Sequence, residues 1–565
     1  MTKANGSTFR TSRLRRLLMV GACSAAAASA AVAQVGIPAT STAPLKLRTD
    51  YFGYSAGVSA RVGYTDNINL VRNELAEDEI TASSVFSLGA IISKPRVTGI
   101  VLGDLDLSYL TEQDNFVVNQ DIGLASTFTG VDNWLYLDVS GSTSRQLLGD
   151  NARFSRNLNA ARQQRGNVHS YSVSPYVYHQ MSDQSAVELR YRFSQVFIDD
   201  RDADANLFGG DLFNDSRTHE VSASYDTGAL LERLRFRTGV YGNETVEDGS
   251  AIFGRFEYRQ GTVFTEAQFA LNRAFSLTGS VGYDEVETED GAAQFFDEDE
   301  LSGVYWRGGF RASPGRRTNV RIEYGRRFDD DFIDADIYYE LSRRFVFTAG
   351  ASRTFQTRAQ QNNSLFQGVS RQVLEFADRL KEGGELSPRG VVQSANRFAN
   401  GFADRRQTNG LGTTDSAFAN LTGAFERTEV NLSGFYADTD FGFRDNLNYG
   451  AALNVNRRLT RRLTAYGDLT WRHTDTTVDA QTCISSPQFF GINPNDPLFD
   501  PVTSCAQIVA NNGVTDTLIG SIGASMRVYD NVSVFAEFSH SERFSENDIL
   551  EYTENSAVAG VTLEF

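Results

Sequence analysis

The chain has 565 residues and a formal net charge of −18, with 22 Tyr and 40 Phe beside 48 Gly, only 10 Pro and a mean hydropathy of −0.32. Such acidity argues against nucleic acid as a partner. A composition rich in aromatics and glycine, yet polar on average, does not describe a soluble core. It suits a chain whose one face meets lipid and whose other face meets water.

In chain order, residues 1–33 read as a cleavable signal peptide. Arg10, Arg13, Arg15 and Arg16 precede an apolar stretch from Leu17 to Val32, and Ala31-Val32-Ala33 offers a cleavage site before Gln34. A single transmembrane helix fits less well, because Gly, Ser and Ala dominate the second half of that stretch. A lipoprotein site at Cys23 would leave a very short apolar run before it. Cleavage removes Lys3 and the four arginines and no negative charge, so the mature chain is more acidic still. The stretch 34–50 reads as a short periplasmic segment without room for a plug domain, which speaks against plugged TonB-dependent import. No helical repeat precedes the first strand either.

Residues 51–565 are dominated by a two-residue alternation in segments of roughly ten residues, the pattern of transmembrane strands. Phe52, Tyr54, Ala56, Val58, Ala60, Val62 and Tyr64 fall on one face and Gly53, Ser55, Gly57, Ser59, Arg61 and Gly63 on the other. The pattern recurs at Val187–Phe193, Leu234–Val240, Val320–Tyr324 and Tyr449–Val455. Short connections such as 182–185, 272–274 and 529–531 alternate with long polar ones at 65–80, 146–168, 199–217, 287–299, 355–412 and 475–513. The expected fold is all-β: a transmembrane antiparallel barrel of about 22 strands, range 16 to 22, with short periplasmic turns and long extracellular loops.

The insertion 355–412 carries Val369, Val373, Phe376 and Leu380 at helical spacing. An amphipathic helix there would either fold inward and constrict the pore or cap it from outside. The loop 475–513 holds Cys483 and Cys505, an even pair in an exported chain that reads as a disulfide. At the end of the chain Ala557, Ala559, Val561, Leu563 and Phe565 alternate up to a terminal aromatic, the usual signal for the outer-membrane assembly machinery.

By the alternation, Glu188, Arg190, Arg192, Arg233, Arg235, Arg237, Arg307, Arg311, Arg321, Glu323 and Arg327 face the lumen. Two readings stay open: a basic wall that favours anionic solutes, or arginines and carboxylates that pair across neighbouring strands and stiffen the wall. Tyr51, Tyr64, Tyr109, Trp134, Tyr283 and Trp471 fit interfacial girdles, whereas Tyr176, Tyr178 and Tyr305 face inward and could stack on sugar rings. Five scattered histidines offer neither zinc spacing nor a hydrolase constellation, so no enzyme activity, metal or cofactor is expected.

The opening Gly57-Val58-Ser59-Ala60-Arg61-Val62-Gly63-Tyr64-Thr65-Asp66-Asn67-Ile68 and the turn Ser313-Pro314-Gly315-Arg316-Arg317-Thr318 resemble a family of outer-membrane β-barrel porins found in bacteria that export polysaccharide. The resemblance implies a barrel in the outer membrane of a Gram-negative bacterium, without catalytic residues to carry over. Its expected function is a channel for an exopolysaccharide during export. Its expected partners are outer-membrane lipids, lipopolysaccharide, the assembly machinery, periplasmic polysaccharide-export proteins and the polysaccharide itself. A general or anion-preferring diffusion porin is the alternative, and a surface anchor or adhesin the second alternative.

Overall fold

The computed structural model describes residues 46–49, 52–149, 152–181, 185–199, 215–228, 231, 233–248, 255–290, 298–315, 317–357, 359–361, 406–407, 411–442, 444–478, 480–485 and 500–565. The signal peptide, most of the stretch 34–50 and the helical pattern of Val369, Val373, Phe376 and Leu380 lie outside the described residues.

Twenty-two long strands form the barrel. They are β1 (Phe52–Thr65), β2 (Glu79–Lys94), β3 (Val97–Leu110), β4 (Asn115–Val131), β5 (Leu135–Leu148), β6 (Arg165–Gln180), β7 (Ala186–Asp199) and β8 (Ser216–Asp226). Next come β9 (Leu234–Glu247), β10 (Phe256–Ala270), β11 (Phe275–Asp290), β12 (Gly303–Gly315), β13 (Thr318–Arg327), β14 (Asp330–Ser342) and β15 (Phe345–Thr357). The remainder are β16 (Leu411–Ala424), β17 (Thr428–Asp440), β18 (Arg444–Arg458), β19 (Leu463–Val478), β20 (Gly513–Tyr529), β21 (Val532–Ser545) and β22 (Tyr552–Glu564). Each pairs antiparallel with its neighbours in sequence, and β1 closes the ring on β22 from Gly57↔Glu564 to Thr65↔Ser556. Closure leaves no sheet edge, the condition for a sheet to sit in lipid.

The alternation in the sequence becomes two faces. Val62, Phe86, Leu88, Val263, Leu453 and Ile522 are exposed on the outside, while Ser59, Ser108, Ser172, Thr262 and Thr470 are buried on the inside. This is the reverse of a soluble core, and the apolar belt is stable only against hydrocarbon. Among the described residues, no helix is long and apolar enough to cross a membrane. Val263, midway along β10 and 58% exposed, tests the belt. Val263→Arg should destabilise the barrel by about 2–4 kcal/mol in equilibrium unfolding from lipid vesicles, and an unchanged midpoint would mean that this face does not meet lipid.

The short connections gather at one end, the periplasmic one. Not every connection at the other end is long. Phe328 and Asp329, both at positive φ (54° and 56°), join β13 to β14 as a two-residue turn of the type-I′ kind, whose twist matches a hairpin. Close strand approach also dictates residue choice: a Cβ on Gly309 would sit 1.9 Å from the Ile322 carbonyl oxygen, so only glycine fits there. Phe565 ends the chain with its side chain exposed and its backbone N–H donating to the Ala56 carbonyl at 2.9 Å.

In the loop 475–513, short helices Ala480–Ser485 (α1) and Pro501–Asn511 (α2) are joined by a disulfide between Cys483 and Cys505. Two further short strands do not span the barrel. Lys46–Thr49 pairs with the start of β1, and Arg406–Gln407 runs parallel to Leu147–Leu148.

Candidate functional site

The lumen is where polar side chains converge, and its most distinctive part is the β5–β6 connection. Along β5 the residues from Tyr136 to Thr143 are half-buried, and then Ser144, Arg145, Gln146, Leu147 and Leu148 are all buried in succession. A strand buried on both faces has left the wall. The end of the β5–β6 hairpin and the described part of its loop, residues 152–164, therefore fold into the barrel instead of standing outside it.

Several sets of contacts hold this tip. Phe154 packs with Leu147, Ala152 and Ile519, the last a lumen-facing residue of β20. Ala160 and Ala161 pack with Ile68, Leu70, Leu110, Val117 and Tyr552, and the Ala161 N–H donates to the Ile68 carbonyl at 2.8 Å. Asn159 accepts from the Asn119 amide at 3.0 Å and donates to Ser108 at 3.1 Å. Arg165, fully buried, donates back to the carbonyls of Ala160 and Ser155 and so sets the curve of the loop. Tyr552 donates to the Phe154 carbonyl, and Arg153 to that of Ile549.

The decisive contact is made by Arg156. Its Nη1 donates to both oxygens of Asp468 at 2.7 Å and its Nε donates to Glu537 at 3.0 Å. Asp468 is on β19 and Glu537 on β21, beyond the β22–β1 closure from where the tip leaves the wall. The side chains of all three residues are only 4–5% exposed. One guanidinium thus ties the tip to the far wall through a fork that two carboxylates fit.

The described flanks of the insertion 355–412 also leave the wall. Ala359 packs with Val168 and Val196 of β6 and β7, many strands from its own β15. Gln360 donates to Thr245 of β9 at 2.6 Å and accepts from Tyr258 of β10. Arg406–Gln407 adds to the edge of the inward β5 tip. Tyr258, Val286, Leu301, Phe355 and Leu411 form an apolar cluster, with Phe328 packed against it.

On the rest of the wall the structure places the arginines singled out from the sequence beside carboxylates. Arg190 bonds Asp138 and Glu188, each at 2.9 Å, and lies 3.7 Å over the ring of Tyr176. Arg192 meets Glu220 at 2.9 Å, Arg235 meets Asp226, and Arg327 grips Asp284 at 2.7 and 2.8 Å. Arg307 is a hub. It contacts Glu266, Glu323 at 3.2 Å and Asp334 at 2.9 Å. Arg237 joins at Glu266 (3.9 Å), and Arg321 at Asp334 (2.7 Å). The belt therefore runs from β9 to β14. Arg311 donates to the Asn319 side chain at 3.1 and 3.3 Å.

Arg233 corrects the expectation: it lies in the turn ahead of β9 and is exposed, because the strand begins one residue later than the alternation suggested. The basic wall is corrected too. Arginines matched by carboxylates present no cationic surface, and Asp138, Glu220, Asp226, Glu266, Asp284 and Asp334 are the partners that sequence reasoning missed. Tyr176 is covered by Arg190 on one face and stacks on Tyr136 at 5.1 Å, and Arg327 lies 4.8 Å over Tyr305, so neither ring is free for a sugar. Among the described residues no group of three or more His, Cys, Asp or Glu is placed to hold a metal ion.

The chain is an outer-membrane β-barrel. No family model and no curated protein matches its sequence. Among solved structures it is similar to the ferric enterobactin receptor of Pseudomonas aeruginosa (12% identity over 91% of this chain and 80% of that one, TM-score 0.44). It is also similar to the siderophore receptor PirA of the same organism (10%, 92% and 81%, TM-score 0.36) and to the ferric-catecholate import receptor Fiu of E. coli K12 (10%, 90% and 81%, TM-score 0.44). These likenesses concern the course of the strands. Those solved structures are of a ferric enterobactin receptor, a siderophore receptor and a ferric-catecholate import receptor, and the lumen described above is crossed by an anchored tip and lined by neutralised arginines. Neither finding fits the expected exopolysaccharide channel or the expected general or anion-preferring porin, and both expectations are corrected, with the surface anchor or adhesin and the polysaccharide-export partners.

Proposed function

We propose that the protein passes a specific polar ligand across the outer membrane through a lumen that the β5–β6 tip keeps constricted. The observation that carries this reading is Arg156, buried and divided between Asp468 and Glu537. A charge taken out of water is held only by partners of matching geometry, so the tip has a defined docked position instead of drifting in the pore. Passage then requires the tip to move, which makes the barrel selective for a ligand able to favour the undocked state. Single-channel recording of the wild-type protein in planar bilayers tests it. Long closed intervals with rare openings are expected, whereas a steadily open pore that passes neutral oligosaccharides would overturn the reading.

Residues 1–33 supply the export signal in this account, and Phe565 the terminal aromatic read by the assembly machinery. N-terminal sequencing of protein recovered from outer membranes should begin at Gln34, and a sequence that retains Arg10–Arg16 would remove the signal peptide from the account.

A further inference from the structure

We infer that Asp468 and Glu537 are the wall-side half of a binding site for a cationic ligand, one bearing a guanidinium or ammonium group, and that Arg156 fills this site as a tethered substitute. The inference rests on the gated lumen proposed above and names the chemistry of its ligand.

The wall carries the negative charge and the mobile element carries the positive charge. At the level of the two carboxylates the register sets Ser521 and Gly523 of β20 and Ser539 of β21 beside them, all neutral. Ser521 donates to Asp468 at 2.7 Å, so that carboxylate keeps its orientation whether or not Arg156 is present. The guanidinium of Arg61 on β1 also faces this region. It answers to Asp106 and Asp104 of β3 as well as to Glu537. With the tip undocked, Asp468 and Glu537 lose the arginine that neutralises them, and Arg61 is shared with Asp104 and Asp106. Water then takes the place of the guanidinium at both carboxylates, and a ligand cation competes with that water for the site.

A ligand cation arriving in the place of Arg156 restores the balance. It reproduces the same forked contacts, and it lowers the free energy of the undocked state alone, which is what an opening ligand must do. An anionic ligand has the opposite problem. Arg156 already spends its fork on two carboxylates, and an anion reaching it must enter their field.

The test uses the full mature chain in planar bilayers with spermidine as the cationic probe, and maltotriose and citrate as neutral and anionic controls. Arg156→Ala exposes the site, so spermidine should interrupt its current in discrete blocks. Adding Asp468→Asn and Glu537→Gln to that variant should weaken the block at least tenfold, with the heat-modified gel shift of a folded barrel retained. Block by spermidine that ignores those two substitutions, or equal block by citrate, overturns the inference while leaving the gate intact. Should Arg156→Ala conduct like the wild type, the gate fails and this inference falls with it.

Discussion

Replacing Arg156 by alanine is expected to open the barrel. The substitution leaves Asp468 and Glu537 facing each other without their cation, and removing one partner from a buried ion pair costs about 3–5 kcal/mol. That free energy bears on the docked state, because once the tip leaves the wall water reaches both carboxylates. At 1.4 kcal/mol per decade, even about 3 kcal/mol shifts the ratio of docked to undocked tips roughly a hundredfold. The remaining anchors are Asn159 on Asn119 and Ser108, the packing of Ala160 and Ala161, and Phe154 against Ile519 with its carbonyl held by Tyr552. They keep the tip folded but do not neutralise Asp468 and Glu537, so the docked state bears the loss. Single-channel records should therefore change from mostly closed to mostly open. Arg156→Lys, which keeps the charge but not the fork, should fall between the two. Identical records for wild type and Arg156→Ala would show that the segment does not control the pore.

Much of the wall was legible from parity alone. Once Val187, Leu189 and Tyr191 are assigned to lipid, Glu188, Arg190 and Arg192 must face the lumen, and the same count places Arg235 and Arg237. A two-residue period leaves no other choice. It does not say which strand residues lie opposite one another, so Asp334 as the shared partner of Arg307 and Arg321 follows only from the register of β12, β13 and β14. Parity also fails at its edges. Arg233 looked like part of β9, yet a shift of one residue in the strand start puts it in the turn.

The tip was the larger miss. Residues 146–168 read as an outer loop because they are polar and irregular, and a polar loop is equally at home in a water-filled lumen. A signal was present in the arginines at 145, 153, 156, 162 and 165. A connection so basic, in a chain so acidic elsewhere, has carboxylates to seek inside the barrel. The periodicity drew attention instead to the insertion 355–412. Its described flanks do cross toward β6, β9 and β10, but the helix-like pattern within it lies outside the described residues.

The second large effect is expected on the opposite wall, where Arg307 is held by carboxylates from three strands. Arg307→Met removes a guanidinium that is 13% exposed and leaves Glu323, whose side chain is 6% exposed, with Arg321 at 3.9 Å, while Asp334 keeps Arg321 at 2.7 Å. The cost should approach the roughly 3–5 kcal/mol of a broken buried pair, reduced toward about 2–3 kcal/mol because Glu266 is partly solvated and can turn to Arg237. Arg317, an exposed arginine 3.7 Å from Glu340, provides the comparison, and its replacement by methionine should cost no more than about 1 kcal/mol. Denaturant titration of the vesicle-inserted barrel measures both. If the carboxylate left behind causes the loss, Arg307→Met combined with Glu323→Gln should recover most of it, since Asp334 keeps Arg321 and Glu266 keeps Arg237. A double variant no more stable than Arg307→Met would assign the loss to packing instead, and the belt would then be filling the lumen and not stiffening it.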